Sequence, residues 1–264
     1  YINVDDLGWT DLGCYGSEFY ETPNIDAFSK EGMLFTRAYA GAANCAPSRA
    51  CLISGQNTPR HEIYTVGNSD RGKARDRRII PTENNTTLAD SVVTLAETLK
   101  QAGYVTGTFG KWHLTDDPKM QGFDENVAGS HRGSPNRTYF SPYNMPHIED
   151  GPEGEYLTER LTQEAIQFIE GNQDKPFFLY LPFYTVHTPL MTKQDLVEKY
   201  EQKPPTERHN HAVYAGMIEA MDTNVGKVLQ KLDELGLAEN TLIILTSDNG
   251  GIRAVSRQTP LRAG

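Results

Sequence analysis

With 264 residues, 38% of them hydrophobic and 23% charged, the chain is long enough to bury a sizeable core. No apolar run approaches the ~20 residues of a membrane span, and a net charge of −10 argues against general nucleic-acid binding. An anionic substrate therefore needs a local cationic pocket set against the global field.

Tyr1–Val4 reads as the end of a buried strand, with Asp5-Asp6 directly after it. Asn24 to Gly32 reads as a short helix closed by glycine, and Met33 to Ala40 as a strand. At Cys45-Ala46-Pro47-Ser48-Arg49, Pro47 suits a helix's first turn. Cys45 then lies at the helix N-terminus, where the dipole favours developing negative charge, and Arg49 lies one turn on along the same face. Gly67 to Asn85, with Arg71, Lys73, Arg75, Arg77 and Arg78, reads as a solvated loop; the alternative is a substrate-facing rim for an anionic sugar. Leu88 to Ala102 has a helical apolar period, with Thr87 and Asp90 in N-cap spacing and Gly103 as a stop.

A strand follows over Val105–Phe109, leading into Lys111-Trp112-His113. Gly122 to Gly154, rich in Gly, Pro, Asn and Tyr, reads as a long ordered excursion in which Tyr139, Tyr143 and Arg132 are candidates for holding sugars. Tyr156 to Glu170 reads as a helix and Phe177 to Phe183 as an apolar strand, with His187 beyond it. Ala212 to Leu235 is the longest helix, and Met217 and Met221 on its apolar stripe are core positions. Leu242 to Leu245 is the last strand, before Asp248-Asn249. This alternation predicts an α/β fold with a mostly parallel central sheet and helices on both faces.

In such a sheet the loops after the strands share the carboxyl edge, where α/β proteins bind ligands. Asp5, Asp6, Asp248 and Asn249 are all oxygen donors, a hard set suited to Ca²⁺ or Mg²⁺ rather than zinc. The alternative for Asp248-Asn249-Gly250-Gly251 is a plain turn. Lys111 offers a point charge and His113 a base titrating near neutrality, against the reading of His113 as a structural histidine. His61, His147, His209 and His211 carry no motif and read as surface or core. Three cysteines leave an odd thiol whether or not Cys14 and Cys51 pair, and Asn84-Asn85-Thr86-Thr87 and Asn136-Arg137-Thr138 match glycosylation sequons.

The Cys45–Arg49 pentapeptide resembles the C-x-P-S-R signature of the type I, formylglycine-dependent sulfatases of the alkaline-phosphatase-like superfamily, although Gln56 stands where the family usually has Arg. Gly110-Lys111-Trp112-His113 resembles the family's G-K-W-H segment, with Thr115 where a glycine is usual, and Thr185–Pro189 resembles its histidine loop. The resemblance implies Ca²⁺, with Mg²⁺ second, held by Asp5, Asp6, Asp248, Asn249 and the formylglycine (3-oxoalanine) made from Cys45 by a maturation enzyme. It implies catalytic roles for Cys45, Arg49, Lys111, His113 and His187: a hydroxyl of the hydrated aldehyde attacks sulfur, His187 protonates the leaving alcohol, and His113 deprotonates the second hydroxyl to expel sulfate. Ser130 and His131 fall where the family places polar contacts to sulfate, with surface exposure as the alternative.

The expected function is sulfate-monoester hydrolysis on a sulfated glycan or small ester, outside the cytoplasm (periplasmic, extracellular or lysosomal). The alternatives are a phosphonate or phosphodiester hydrolase and a sulfatase-like binding protein without turnover. Residues 1–264 are expected to be the N-terminal catalytic domain, truncated on the C-terminal side. The family's C-terminal subdomain, and a lysine expected after Pro260–Gly264, would lie beyond it.

Overall fold

The computed structural model describes residues 1–261; the end of the Pro260–Gly264 motif lies outside them. Five strands, β1 (Ile2–Val4), β2 (Val105–Phe109), β3 (Glu125–Val127), β4 (Phe177–Pro182) and β5 (Leu245–Ser247), form one sheet in the order β3-β2-β4-β1-β5. Every pair is parallel, so every strand delivers its following loop to the same edge. The main helices are α1 (Pro23–Glu31), α2 (Cys45–Ser54), α3 (Thr58–His61), α4 (Leu95–Gln101), α5 (Leu157–Gly171), α6 (Gln194–Glu201) and α7 (Ala212–Glu234).

Strand alternation divides the core in two. Phe177, Leu179 and Leu181 of β4 join Ile2 and Val4 of β1 in a cluster with Leu161 and Phe168 of α5 and Met217 and Met221 of α7. Phe178 and Tyr180, the intervening residues, pack with Ala46, Ala50 and Ile53 of α2 and Ala96 of α4. The fully apolar β4 is thus covered on both faces, as its composition predicts. No helix among the described residues is long and apolar enough to cross a membrane.

Several local expectations are corrected. Met33–Ala40 forms no strand: Met33, Phe35 and Tyr39 are exposed, and no neighbour among the described residues pairs with the segment. Its apolar pattern is strand-like, but a strand needs a ladder partner. The helix expected from Leu88 begins at Leu95, because Thr94, not Thr87, is its cap. The Thr94 hydroxyl accepts from Glu97 N at 3.1 Å, while the Glu97 carboxylate accepts from Thr94 N at 2.7 Å. A glutamate at this third helical position reaches back to the cap amide, closing a box.

The last strand is Leu245–Ser247 rather than Leu242–Leu245. Register against β1 (Ile2↔Leu245, Val4↔Ser247) brings in two polar residues, and Thr246 Oγ1 lies 3.2 Å from Asn3 Oδ1. β3, α3 and α6 were not foreseen. Cys14 and Cys51 are free thiols. Tyr139 and Tyr143 are fully buried, so they anchor the long excursion instead of holding sugars.

Candidate active site

The sheet edge gathers its charged residues from four strand ends. Asp5 follows β1 directly, Asp248 follows β5 directly, Lys111 comes two residues after β2, and His187 lies in the loop after β4. Gly110 makes the turn out of β2 possible: at φ 134° its backbone passes so close to β4 that a Cβ would sit 2.0 Å from Pro182 O. Lys111 N then donates to Pro182 O at 2.7 Å, which aims its side chain at the centre of the edge.

There Lys111 Nζ donates to Asp5 Oδ2 at 2.6 Å, with both side chains buried. Arg49, on the inner face of α2, donates from Nε to Asp248 Oδ2 at 2.9 Å and from Nη1 to Lys111 O at 2.6 Å; its Nη2 is 3.6 Å from Asp5 Oδ1. Asn249 Nδ2 donates to Asp6 Oδ1 at 2.6 Å, and His187 Nε2 stands 3.8 Å from Asp6 Oδ2. The Cys45 thiol faces Asp5 Oδ1 at 3.5 Å and Asp6 Oδ1 at 4.0 Å. Asp5, Asp6, Cys45, Arg49, Lys111, His187, Asp248 and Asn249 therefore meet in one volume.

The electrostatics of this cluster are lopsided. Burial pushes the Asp5 carboxyl well above the usual carboxylate range, outweighing Lys111. Burial also opposes ionisation of Asp248, but Arg49 and Lys111 overcome it and hold that carboxyl below its ordinary value. Desolvation, followed by Asp5, pushes the Cys45 thiol up to about 12. A cation placed among these three carboxyl groups would relieve the burial that opposes ionisation of Asp5.

The donor set fits a hard divalent cation. Oxygens of Asp5, Asp6 and Asp248 lie within 4.8 Å of one another. Asn249 Oδ1 is buried without a hydrogen-bond partner among the described residues, although its amide nitrogen is fully engaged by Asp6 and Gly250 O. An orphaned carbonyl oxygen beside three carboxylates is what an oxygen-coordinated ion would satisfy. A second grouping, Asp5, Cys45 and His187, offers softer donors. It would require a thiolate amid carboxylates, which the raised thiol pKa opposes.

His113 stands to one side with its backbone at φ 66°. Burial, then Lys111 and Arg49, depress its ring to about 2, and Nδ1 has no partner among the described residues. Gly133 packs flat against it: a Cβ there would lie 2.4 Å from His113 Cε1. Ser130 and His131 lie beside His113, not among the carboxylates. Ser130 O accepts from His113 N at 2.8 Å, and the His131 ring meets the His113 ring edge-on at 6.3 Å. His131 Nε2 is 2.9 Å from Thr86 O.

Sequence reasoning missed the roles of four supporting residues. Ser48 Oγ donates to Asp248 O, joining α2 to the β5 loop; its position three residues after Cys45, on the same helical face, was the available signal. Tyr139 OH lies 2.6 Å from Tyr184 O and 2.8 Å from His187 O, bracing the histidine loop. Gly133 had no signal. Asp11 is fully buried, taking Gly8 N at 3.0 Å, Tyr214 OH at 2.8 Å, Ser256 Oγ at 2.7 Å and lying 3.2 Å from His209 Nε2. It ties the β1 loop to the β5 loop, and only its buried neighbours reveal that.

The described geometry has counterparts in known proteins. The sulfatase family profile matches residues 1–262. The chain is 34% identical to a sulfatase of Formosa agariphila, over 99% of this chain and 59% of the relative. It is 35% identical to N-acetylgalactosamine-6-sulfatase of Homo sapiens, over 94% of this chain and 48% of the relative. The crystal structure of Ps i-CgsB in complex with k-i-k-neocarrahexaose matches with a TM-score of 0.79 at 31% identity, covering 100% of this chain and 61% of that one. The chain thus spans about half to three-fifths of the length of these relatives.

Proposed function

Because the chain belongs to the sulfatase family, as the match over residues 1–262 establishes, we propose that the protein it is part of hydrolyses sulfate monoesters on a sulfated glycan, with Cys45 matured to formylglycine and Ca²⁺ bound by Asp5, Asp6, Asp248, Asn249 and residue 45. The observation that carries this reading is the convergence of a buried all-oxygen cluster and two fixed cations on the side chain of residue 45. The family implies a metal ion and a formylglycine; the hard donor set favours calcium, whose flexible oxygen coordination suits three carboxylates and an amide. Sulfated glycans lie outside the cytoplasm, and we place the enzyme there.

When bound, the cation polarises the sulfate and the nucleophile, and the formylglycine supplies that nucleophile as a hydrated aldehyde. The chain's own residues do the rest. Arg49 and Lys111 hold the sulfate's equatorial oxygens and the charge that develops there. Their side chains are rigidly placed because each is fully buried and already anchored to a carboxylate. Nδ1–H donates to Thr188 O at 2.7 Å and orients the ring, so His187 would act as the imidazolium, favoured by Asp6 at 3.8 Å from Nε2 against the burial that lowers its pKa, and would pass the Nε2 proton to the departing alcohol. The same hydrogen bond that would mark a merely structural histidine therefore serves the catalytic one. His113 is neutral because burial and two neighbouring cations oppose its protonation; a sulfate anion bound to Arg49 and Lys111 would offset those cations and let the ring take the proton whose loss expels sulfate. Ser130 and His131 sit behind His113 and shape the wall on that side.

The test uses full-length protein coexpressed with a formylglycine-generating enzyme. The peptide containing Cys45 should show the mass of the aldehyde, and the protein should release sulfate from 4-nitrophenyl sulfate and from sulfated sugars. An unmodified thiol with no turnover would favour a sulfatase-like binding protein, and faster cleavage of an aryl phosphodiester would favour the phosphodiesterase reading.

A further inference from the structure

The loop between α3 and α4 is the most cationic stretch of a chain whose net charge is −10, and the reaction proposed above does not use it. Arg71, Lys73, Arg75, Arg77 and Arg78 fall within eight residues. Two of them build the loop. Arg71 donates to Asn68 O and Asp70 O, and Arg77 donates to Arg71 O while pairing with Asp70 at 3.2 Å. The other three are outward-facing. Among the described residues, exposed Lys73 and Arg78 have no carboxylate partner, and exposed Arg75 pairs only with its neighbour Asp76, at 3.7 Å.

The neck of this loop is fixed beside the active site at both ends. Asn44, the residue before Cys45, donates from Nδ2 to Thr65 Oγ1 at 3.2 Å, and Arg71 Nη2 donates to the same hydroxyl at 2.8 Å. Asn84 closes the neck by accepting from Tyr64 N at 2.6 Å and Thr65 N at 3.1 Å. Thr86 O, just beyond, lies 2.9 Å from the histidine that meets His113 edge-on. The cations therefore rise from a base bonded on one side to the nucleophile's neighbour and on the other to the wall behind His113. Arg77, Arg78, Ile79 and Ile80 also line an open depression of 290 Å³, near the lower end of small-ligand pockets (~300 Å³). Ile79 and Ile80 are 81% and 94% exposed there.

We propose that residues 68–80 form a docking rim for a sulfated polysaccharide, so that the substrate is a chain carrying several sulfates that extends from the catalytic pocket across this loop. The inference rests on the sulfatase reading for its direction. Cations that recognise neighbouring sulfates, next to apolar side chains that the C–H faces of sugar rings can cover, match that polymer. Against a global charge of −10, a local positive rim also steers a polyanion toward the site.

The test compares full-length protein with its Lys73→Glu/Arg75→Glu/Arg78→Glu variant, in which all three changes are exposed. We expect kcat/KM on chondroitin sulfate and carrageenan chains to fall about tenfold or more through KM, with a shallower salt dependence. Turnover of 4-nitrophenyl sulfate should stay within about twofold, since no contact with that small ester is lost. Equal changes on polymer and small ester, or none on either, would overturn the proposal. Retention on immobilised heparin decides independently of turnover: earlier elution of the variant supports the rim even if the sulfatase reading fails. Coincident elution, or equal retention of the wild type by DNA-cellulose of matched charge, overturns it.

Discussion

Single residues here are set by what surrounds them, and that is where the sequence was least legible. Asp5, Asp6, Lys111 and His187 could be picked out because each follows a segment that reads as a strand, and because the segments of Lys111 and His187 resemble sulfatase motifs. The meaning of Gly133 could not, since its neighbour His113 is twenty positions away in the chain. A Gly133→Ala substitution places a methyl 2.4 Å from His113 Cε1. Displacing the base by about an ångström should lower kcat on the order of tenfold to a hundredfold while leaving KM nearly unchanged, read by steady-state kinetics.

The same histidine makes a stability prediction. Its pKa falls from 6.5 to about 2 on folding, first through burial and then through Lys111 and Arg49. Below pH 6.5 the unfolded chain takes up a proton that the folded chain refuses, so stability decreases as pH falls from 6.5 toward 2. The contribution of this one group is on the order of 1 kcal/mol per pH unit. Urea denaturation between pH 6 and pH 4 should show a slope that is shallower by about that amount in His113→Gln.

Elements were legible wherever periodicity and a partner agreed. α7, α5, β2 and β4 all lie where their patterns put them, because each pattern has a covered face. Met33–Ala40 has the pattern but no ladder among the described residues, and it stays irregular and exposed. β3 is only three residues of mixed polarity, too short for any period to show. The misplaced start of α4 is a contest between two caps: Thr87 with Asp90 has the spacing, but Thr94 with Glu97 has the reach, and Thr94 Oγ1 also lies 2.8 Å from the buried Gln121 O. Thr94→Ala should therefore cost about 1 kcal/mol or somewhat more, seen as a lowered urea midpoint with an unchanged denaturant slope. Thr87→Ala should not move the midpoint through any helix cap.

At the scale of the whole molecule, the parallel sheet explains why residues as distant as Asp5, Lys111 and Asp248 share one site: parallel strands carry all their following loops to one edge. The fold class was legible for the same reason, from alternation alone. What alternation could not supply was the strand order and the buried Asp11 junction, which depend on long-range contacts. The edge also gathers three carboxyl groups and one unbonded amide oxygen. A cation held there binds the folded state alone, and at a hundred times its dissociation constant it adds about 3 kcal/mol of stability. Removing it with EGTA should lower the melting temperature by several degrees in calorimetry, and restoring Ca²⁺ should reverse the change. Asp6→Asn should abolish that calcium response.

The most direct test of the central claim is an anomalous-difference map from crystals of the matured full-length protein grown with Ca²⁺. The account predicts one strong peak bounded by carboxylate oxygens of Asp5, Asp6 and Asp248, by Asn249 Oδ1 and by the side chain of residue 45, within reach of Lys111 and Arg49. A map with no peak at this edge, or with the ion held elsewhere while Asn249 Oδ1 stays unbonded, would contradict it.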